Sequence, residues 1–294
     1  MKTLGQAFDQ VQQALQNCSV DLGQGTLELV DEAAWLTLGS LGLPLDTDLS
    51  DAHHRSFVLT AGQQEQLAKQ LHRRTQERVP TAYLLEQAWL QGVDFYVDSR
   101  VIIPRSLIAE PLAEGIVDAW MNESTQHVLD LCTGNGSLAV LMAMAWPHVE
   151  VDAADLSVDA LDVARINIER HGLEERIELH QGDGWKAVPA ARLYDVVLCN
   201  PPYVNSVSMQ ALPAEFKAEP ALALAGGADG MDFIRPMLQE AKSHLSAGGI
   251  LVLEIGHERT HFERAFPTLE PIWLHTSAGD DHVLLLTAQA LEAL

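Results

Sequence analysis

The sequence predicts an α/β fold: a doubly wound, mainly parallel sheet preceded by a helical N-terminal domain. Three observations lead there. From His127 onward, apolar strand-like runs alternate with helix-like segments, the pattern of parallel strands joined by crossover helices. The first of these runs ends in Gly134-Asn-Gly136 directly before a helical stretch, as at the ligand-binding turn of doubly wound sheets. Residues 1–90 instead are rich in Gln and Leu and repeat apolar side chains at helical spacing. The expected layout is a helical domain over 1–90, a hairpin linker over 91–108 and the sheet domain over 109–294.

In chain order, a helix over Met1–Leu15 places Leu4, Phe8, Val11 and Leu15 on one face. Glu32–Leu43 repeats the pattern, as does Thr60–Gln76, where Thr60 is a suitable cap. Lys69, Arg73, Arg74 and Arg78 form a small basic face on that third helix, read as solvated surface. In "VDFYVDSRVIIP" (93–104) apolar residues alternate around Asp98-Ser99, which predicts a hairpin turning there. The sheet domain then reads "HVLDLCTGNG", "VEVDAADLS", "IELHQGDG", "YDVVLCNPPY", "GILVLEIG" and "HVLLLTAQ" as strands. Helices lie between them, one near Met231–Leu245.

At 294 residues there is ample length for a buried core. The longest apolar run, Leu138–Trp146, is far short of the roughly 20 residues that span a bilayer. The amino terminus lacks the apolar core of a signal peptide, and Cys18, Cys132 and Cys199 form no disulfide framework. A cytoplasmic location is expected. The formal charge is −23, with 12 of the 41 acidic and 6 of the 18 basic residues before position 96. Duplex binding depends on neutralising phosphates with Lys and Arg, so free nucleic acid is not the expected substrate. A basic protein partner would be attracted.

In a doubly wound sheet, ligands bind beyond the carboxyl ends of the strands. Gly134 and Gly136 let the backbone turn tightly and approach a ligand. Asp155, 19 positions past Gly136 at the next strand end, suits a carboxylate that accepts ribose hydroxyls. Asp183 ends the third strand and could meet an adenine amino group. Gly134-x-Gly136-x-x-Ala139 also satisfies the nicotinamide-dinucleotide pattern, so the glycines do not choose between that cofactor and another adenosyl ligand.

"YDVVLCNPPY" ends the fourth strand in Asn200, Pro201, Pro202 and Tyr203. The Asn200 side chain offers a carbonyl oxygen. The prolines have no N–H, while the Pro201 carbonyl stays available. Two acceptors a fixed distance apart bind both hydrogens of one NH2 group, and Tyr203 supplies a flat wall. An amide nitrogen attacks poorly because its lone pair is delocalised; holding both N–H bonds out of plane loosens that conjugation. Acceptor dipoles stabilise the positive charge that develops on nitrogen, and positioning supplies ~7–11 kcal/mol in favourable cases. A sulfonium methyl on an adenosyl cofactor is the natural electrophile.

At these residues the chain resembles the class I S-adenosylmethionine-dependent methyltransferases, and among them the HemK/Prm protein-glutamine N5-methyltransferases. The matching elements are "DLCTGNGSLA", "AADLSVDAL", "GDGW", "NPPYV", "EPALALAGGADG" and "LEIG". The similarity runs from about Val79 to the end, more loosely before it. "VPTAYLLEQAWLQGVDFYVDSRVIIPRS" is similar to the PrmB branch, which acts on a large-subunit ribosomal protein of the uL3 type. The release-factor branch usually has Pro after Pro-Arg, where this chain has Ser106. Leu107, in place of a Pro, and Cys132, in place of a Gly, depart from the pattern.

The resemblance implies S-adenosyl-L-methionine as cofactor and glutamine N5-methylation as reaction. It implies Asp130, Cys132, Thr133, Gly134, Asn135 and Gly136 around the methionine portion, Asp155 on the ribose, and Asp183 with Gly184 on the adenine. Asn200 would lie where cofactor and target meet. Asn200, Pro201, Pro202 and Tyr203 would hold the target amide, with Phe95 at the pocket wall or, alternatively, simply packed in the hairpin. The helical domain would recognise the substrate. The alternatives are the same reaction on peptide chain release factors, a DNA adenine-amino methyltransferase, which would need a basic groove, a dehydrogenase, and a non-enzymatic ribosome-assembly factor. His257-Glu258-Arg259-Thr260-His261 spells a zinc-protease motif, but its extension fails at Arg264 and Pro267. It reads as a solvated helix start, and no metal is expected.

Overall fold

The N-terminal helices follow the apolar spacing and the caps. The computed structural model describes residues 2–294, so the helix start expected at Met1 lies outside the described residues. Helix α1 (Leu4–Cys18) begins at Thr3, where Thr3 and Gln6 cap each other reciprocally. Leu4, Phe8, Val11 and Leu15 are buried as the spacing predicts. Helix α2 (Leu29–Leu41) begins three residues earlier than expected. The short α3 (Ala52–Arg55) precedes α4 (Ala61–Gln76), which carries a second capping box from Thr60 and Gln63. Helix α5 (Thr81–Leu85) completes the group.

Arg74 corrects the reading of a solvated basic face. It is only 2% exposed, because α4 turns it inward against two buried carboxylates. Its Nε donates to Glu32 at 2.7 Å and its Nη1 to Glu215 at 3.0 Å, while Nη2 donates to the Asp21 carbonyl at 2.8 Å. Arg78 donates to the same Glu215 oxygen. Glu215 lies 141 residues beyond Arg74, so the ion pair fastens the helical region to the sheet domain. Burial works against the Glu215 charge, but backbone hydrogen bonds and Arg74 outweigh it and hold its carboxyl below the usual glutamate range.

The hairpin also lies elsewhere. It pairs β1 (Ala88–Leu90) with β2 (Val93–Phe95) and turns at Gln91-Gly92. Both turn residues have positive φ, 49° and 75°, as a two-residue turn matched to strand twist requires. Asp98, expected at the turn tip, instead accepts the Arg100 guanidinium and the Tyr96 hydroxyl. That local ring gives residues 96–104 an irregular path.

After α6 (Ala109–Ala113) the main sheet is built from seven strands. In chain order they are β3 (His127–Leu131), β4 (Glu150–Asp155), β5 (Ile177–Gln181), β6 (Tyr194–Cys199), β7 (Leu245–Glu254), β8 (Ile272–Thr276) and β9 (Gly279–Thr287). Their spatial order is β5-β4-β3-β6-β7-β9-β8, parallel except for β9. The connecting helices are α7 (Ser137–Ala145), α8 (Val158–Arg170), α9 (Ser206–Ala211), α10 (Ile234–His244) and α11 (Arg259–Ala265). Alternate strand residues feed separate cores: Val128, Val151 and Val196 on one face, Leu129 and Val197 on the other. Strand order reverses between β3 and β6, which opens a crevice at their carboxyl ends. Among the described residues no helix is long and apolar enough to cross a membrane.

Substituting Arg74→Met leaves Glu32 and Glu215 buried without their shared cation. Denaturant titration is expected to show a loss of about 3–5 kcal/mol. Adding Glu215→Gln should restore part of it, and an unchanged midpoint in R74M would contradict the ion pair's role.

Candidate active site

A cavity of about 330 Å³ occupies that crevice. Four strand ends meet there. Cys132, Thr133, Gly134 and Asn135 line it after β3, Asp155 at the end of β4, Asp183 and Gly184 after β5, and Asn200 through Tyr203 after β6. Asp130, Gly136 and Phe95 do not line it.

Local conformation explains the first loop. Cys132, Gly134 and Gly136 all adopt positive φ, at 64°, 56° and 80°. For Cys132 this costs roughly 1–2 kcal/mol relative to glycine. The neighbouring Cys199 thiol and burial together keep the Cys132 thiol protonated. Gly136 starts α7, and a β-carbon there would stand 3.2 Å from that of Ala164. Behind the loop, Asp130 is 1% exposed. Its Oδ2 accepts the Thr133 hydroxyl at 2.5 Å and the Ala139 N–H at 3.0 Å, which pins both ends of the turn. Asp155 reaches across and accepts the Gly134 N–H at 2.9 Å and the Ser157 N–H at 2.8 Å.

Two buried polar atoms in this loop region have no partner: Asp130 Oδ1 and Asn135 Nδ2. One is an acceptor and one a donor. Buried orphans are costly, and burial accordingly pushes the Asp130 carboxyl up to about 7. A zwitterionic amino-acid group, with its ammonium and its carboxylate, supplies both missing partners. Asp155, still able to accept at its remaining lone pairs, has its carboxyl raised by burial.

Asn200 to Tyr203 follow β6 as expected. Tyr203 donates its hydroxyl to Glu254 at 2.9 Å. Gly256 lies so near that a β-carbon there would stand 2.5 Å from the Tyr203 ring, and one on Gly230 would stand 2.3 Å from the Tyr203 carbonyl oxygen. Asp183 is largely exposed at the rim beside Lys186, 3.1 Å away. Phe95 requires correction: it is fully buried under the hairpin, against His171, with ring centroids 5.5 Å apart, because the turn at Gln91-Gly92 aims it into the core. Glu258 corrects the solvated helix start. It is buried and accepts from Asn205 at 2.6 Å and His261 at 2.5 Å, while His257 faces His282. Asp152, Glu178 and His180 cluster within 4.8 Å at β4 and β5. Arg192, Tyr194 and His180 already occupy the Asp152 oxygens.

Sequence reasoning missed the residues that hold this site. Arg105 grips Glu219 through two 2.6 Å bonds. Asn167, fully buried, donates to the carbonyls of Asn135 and Tyr96 and accepts the Tyr96 N–H. The available signal was a charged or amide residue inside an apolar run, as in "LVLEIG".

Residues 113–226 match the family model of the Methyltransferase small domain. A Bordetella pertussis protein named ribosomal protein uL3 glutamine methyltransferase is 52% identical over 274 residues, covering 92% of this chain and 90% of that one. This chain belongs to the uL3 glutamine methyltransferase family. A Burkholderia pseudomallei protein of the same name is 48% identical, with 92% and 90% covered. A solved methyltransferase from Pyrococcus furiosus is similar at a TM-score of 0.47 and 19% identity, covering 68% of this chain and 90% of that chain.

Membership makes the chain a methyltransferase and removes the dehydrogenase reading of the glycine pattern. The residues of this glutamine methyltransferase fit the cofactor of such enzymes. S-adenosylmethionine carries an amino-acid end whose charges complement the two orphaned atoms, and ribose hydroxyls of the kind that a cavity-lining carboxylate such as Asp155 can accept.

A buried carboxyl at about 7 retains a proton that the unfolded chain releases near pH 4. Its effect on stability is absent below pH ~4; stability falls as pH rises to about 7 and stays lowered above. Asp130→Asn keeps the acceptor for Thr133 and Ala139 while removing the charge. Thermal melts are expected to show D130N more stable than the parent at pH 8, by roughly 2–4 kcal/mol, and equal to it near pH 4. Calorimetry should show weaker cofactor binding by D130N; unchanged affinity would place the ammonium elsewhere.

Proposed function

We infer that this enzyme transfers a methyl group from S-adenosylmethionine to the side-chain nitrogen of a glutamine in ribosomal protein uL3. The observation that carries this is a shared cavity: the glycine loop, Asp155 and the Asn-Pro-Pro-Tyr turn all open into one space. The names of the relatives support the substrate.

When bound, the cofactor supplies an electrophilic methyl on a positively charged sulfur. Asn135, on the loop that Asp130 pins from behind, would hold its amino-acid end, Asp155 its ribose, and Asp183 with Gly184 its adenine. The Asn200 carboxamide oxygen and the Pro201 carbonyl each accept one hydrogen of the target NH2. Both are neutral dipoles fixed by a strand end and a proline ring, so they need little reorganisation as charge develops. Tyr203 packs against the amide plane. Attack needs no prior deprotonation, because the extra proton becomes acidic only once the nitrogen is alkylated, and it then leaves to water.

The formal charge of −23 gives such an enzyme long-range attraction for a basic ribosomal protein. The helical N-terminal region would present part of the contact surface.

Incubating enzyme and cofactor with uL3 from cells that lack the enzyme should add the mass of one methylene to a glutamine peptide. Asn200→Ala is expected to lower turnover by at least about 10²–10³-fold while cofactor binding persists. Turnover surviving in N200A would overturn the assignment. Stopped-flow association with uL3 should slow as ionic strength rises; a salt-independent rate would remove electrostatic steering.

A further inference from the structure

One buried carboxylate beside the cavity has a part in neither cofactor binding nor amide capture. Glu254 ends β7 and is 3% exposed. Its Oε1 accepts the Tyr203 hydroxyl at 2.9 Å. Its Oε2 accepts the Ser106 hydroxyl at 2.6 Å and the Leu107 N–H at 2.9 Å. Both donors on Oε2 come from the linker, 147 and 148 residues earlier in the chain. The carboxylate therefore stands between the linker and the aromatic side chain of the Asn-Pro-Pro-Tyr turn.

The geometry fixes more than the hydroxyl. A tyrosine ring has two side-chain torsions. The Gly256 backbone presses on one side of the ring, where even a β-carbon would stand 2.5 Å away. The bond to Glu254 holds the far end. Glu254 in turn cannot swing, because its second oxygen is held by two donors. Burial pushes its carboxyl up, while Ser106, Tyr203 and the Leu107 N–H act in the opposite sense and favour the charged form that can accept all three bonds.

We propose that Ser106 and Glu254 are positioning residues that set the plane of the Tyr203 ring, and through it the pose of the amide nitrogen, from outside the reacting groups. The proposal rests on the reading that Asn200 to Tyr203 hold the target amide. It assigns a role in turnover to the linker. A serine at 106 supplies a hydroxyl; a proline there could supply none, and the tether would keep only the Leu107 N–H. Small displacements of a reacting group are costly when rate depends on a near-attack geometry, so the effect belongs in kcat rather than in cofactor affinity.

The test is a double-mutant cycle on the full chain with S-adenosylmethionine and unmodified uL3. Ser106→Ala and Tyr203→Phe should each lower kcat by about tenfold, the equivalent of one hydrogen bond. Because both act through Glu254, the double variant should lose little more than the worse single one. Cofactor affinity by calorimetry should stay within about twofold. Ser106→Thr, which keeps the hydroxyl, should recover most of the rate. Circular dichroism and melting confirm that each variant is folded. Multiplicative losses in the double variant would overturn the tether, as would a loss confined to cofactor affinity or full activity in S106A. Asn200→Ala in the same assay separates the two levels. If N200A is inactive while S106A is fully active, only the tether falls; if N200A is active, the amide-binding reading falls and takes the tether with it.

Discussion

If the Asn-Pro-Pro-Tyr turn holds the target amide as proposed, it has to leave its best acceptors free. An Asn200 oxygen or a Pro201 carbonyl satisfied inside the protein could not receive a substrate hydrogen. Those two acceptors therefore cannot hold the turn, which is held by the Tyr203 hydroxyl on Glu254 and by its neighbours. Backbone bonds from Val204 to Leu224 and from Gly226 to Val204 stitch the outgoing chain to a second segment. Glycines at 230 and 256 let two further segments close on Tyr203. The segment that closes over the turn carries only short 3-10 turns, at Phe216–Ala218 and Ala221–Ala223.

Buried ion pairs do the holding there. Glu215 and Glu219 are 0% and 4% exposed, and Arg74 and Arg105 meet them from parts of the chain that precede the sheet. Gln24 bonds to both, at the Glu215 carbonyl and the Glu219 carboxylate. Such pairs add little net stability over a well-packed apolar contact, yet breaking one is expensive. That asymmetry suits a wall that must sit in one place. Apolar packing tolerates small slides, whereas a bidentate guanidinium accepts its carboxylate in one orientation. The N-terminal helices are therefore part of the architecture of the cavity as well as an outlying surface.

The sheet was legible because parallel strands buried on both faces are continuous apolar runs, and "VVLC" or "ILVL" can be little else. The glycine loop was legible because positive φ and close approach select glycine almost alone. Even so, Cys132 occupies such a conformation at a cost, and composition could not reveal that. The hairpin was misplaced because Asp98-Ser99 has turn chemistry, while the true turn at Gln91-Gly92 carries the weaker signal of a single glycine. Arg74 was misread for a more general reason. Its partner lies 141 residues away, and helical periodicity reports a face without reporting what packs on it. Phe95 failed in the same way, since pattern alone does not say on which side of a hairpin the core lies. The buried carboxylates Glu215 and Glu219 look in sequence like the other acidic residues of a strongly acidic chain.

The cavity divides its labour by charge. At the glycine-loop end Asp155 lines the cavity and Asp130 lies behind the loop, and both carry a burial penalty that raises their pKa values. The reacting end presents neutral acceptors. A charge needs a partner to be tolerable in a buried site, and at this end backbone N–H groups already serve Asp155. At the amide, positive charge exists only during the reaction. A carboxylate there would stand unpaired for the rest of the cycle, whereas an oriented carbonyl dipole is stable empty and still favours the cation when it forms. On the proposed reading, binding strength and rate fall to different residues, and interactions made only in the transition state are the ones that raise turnover.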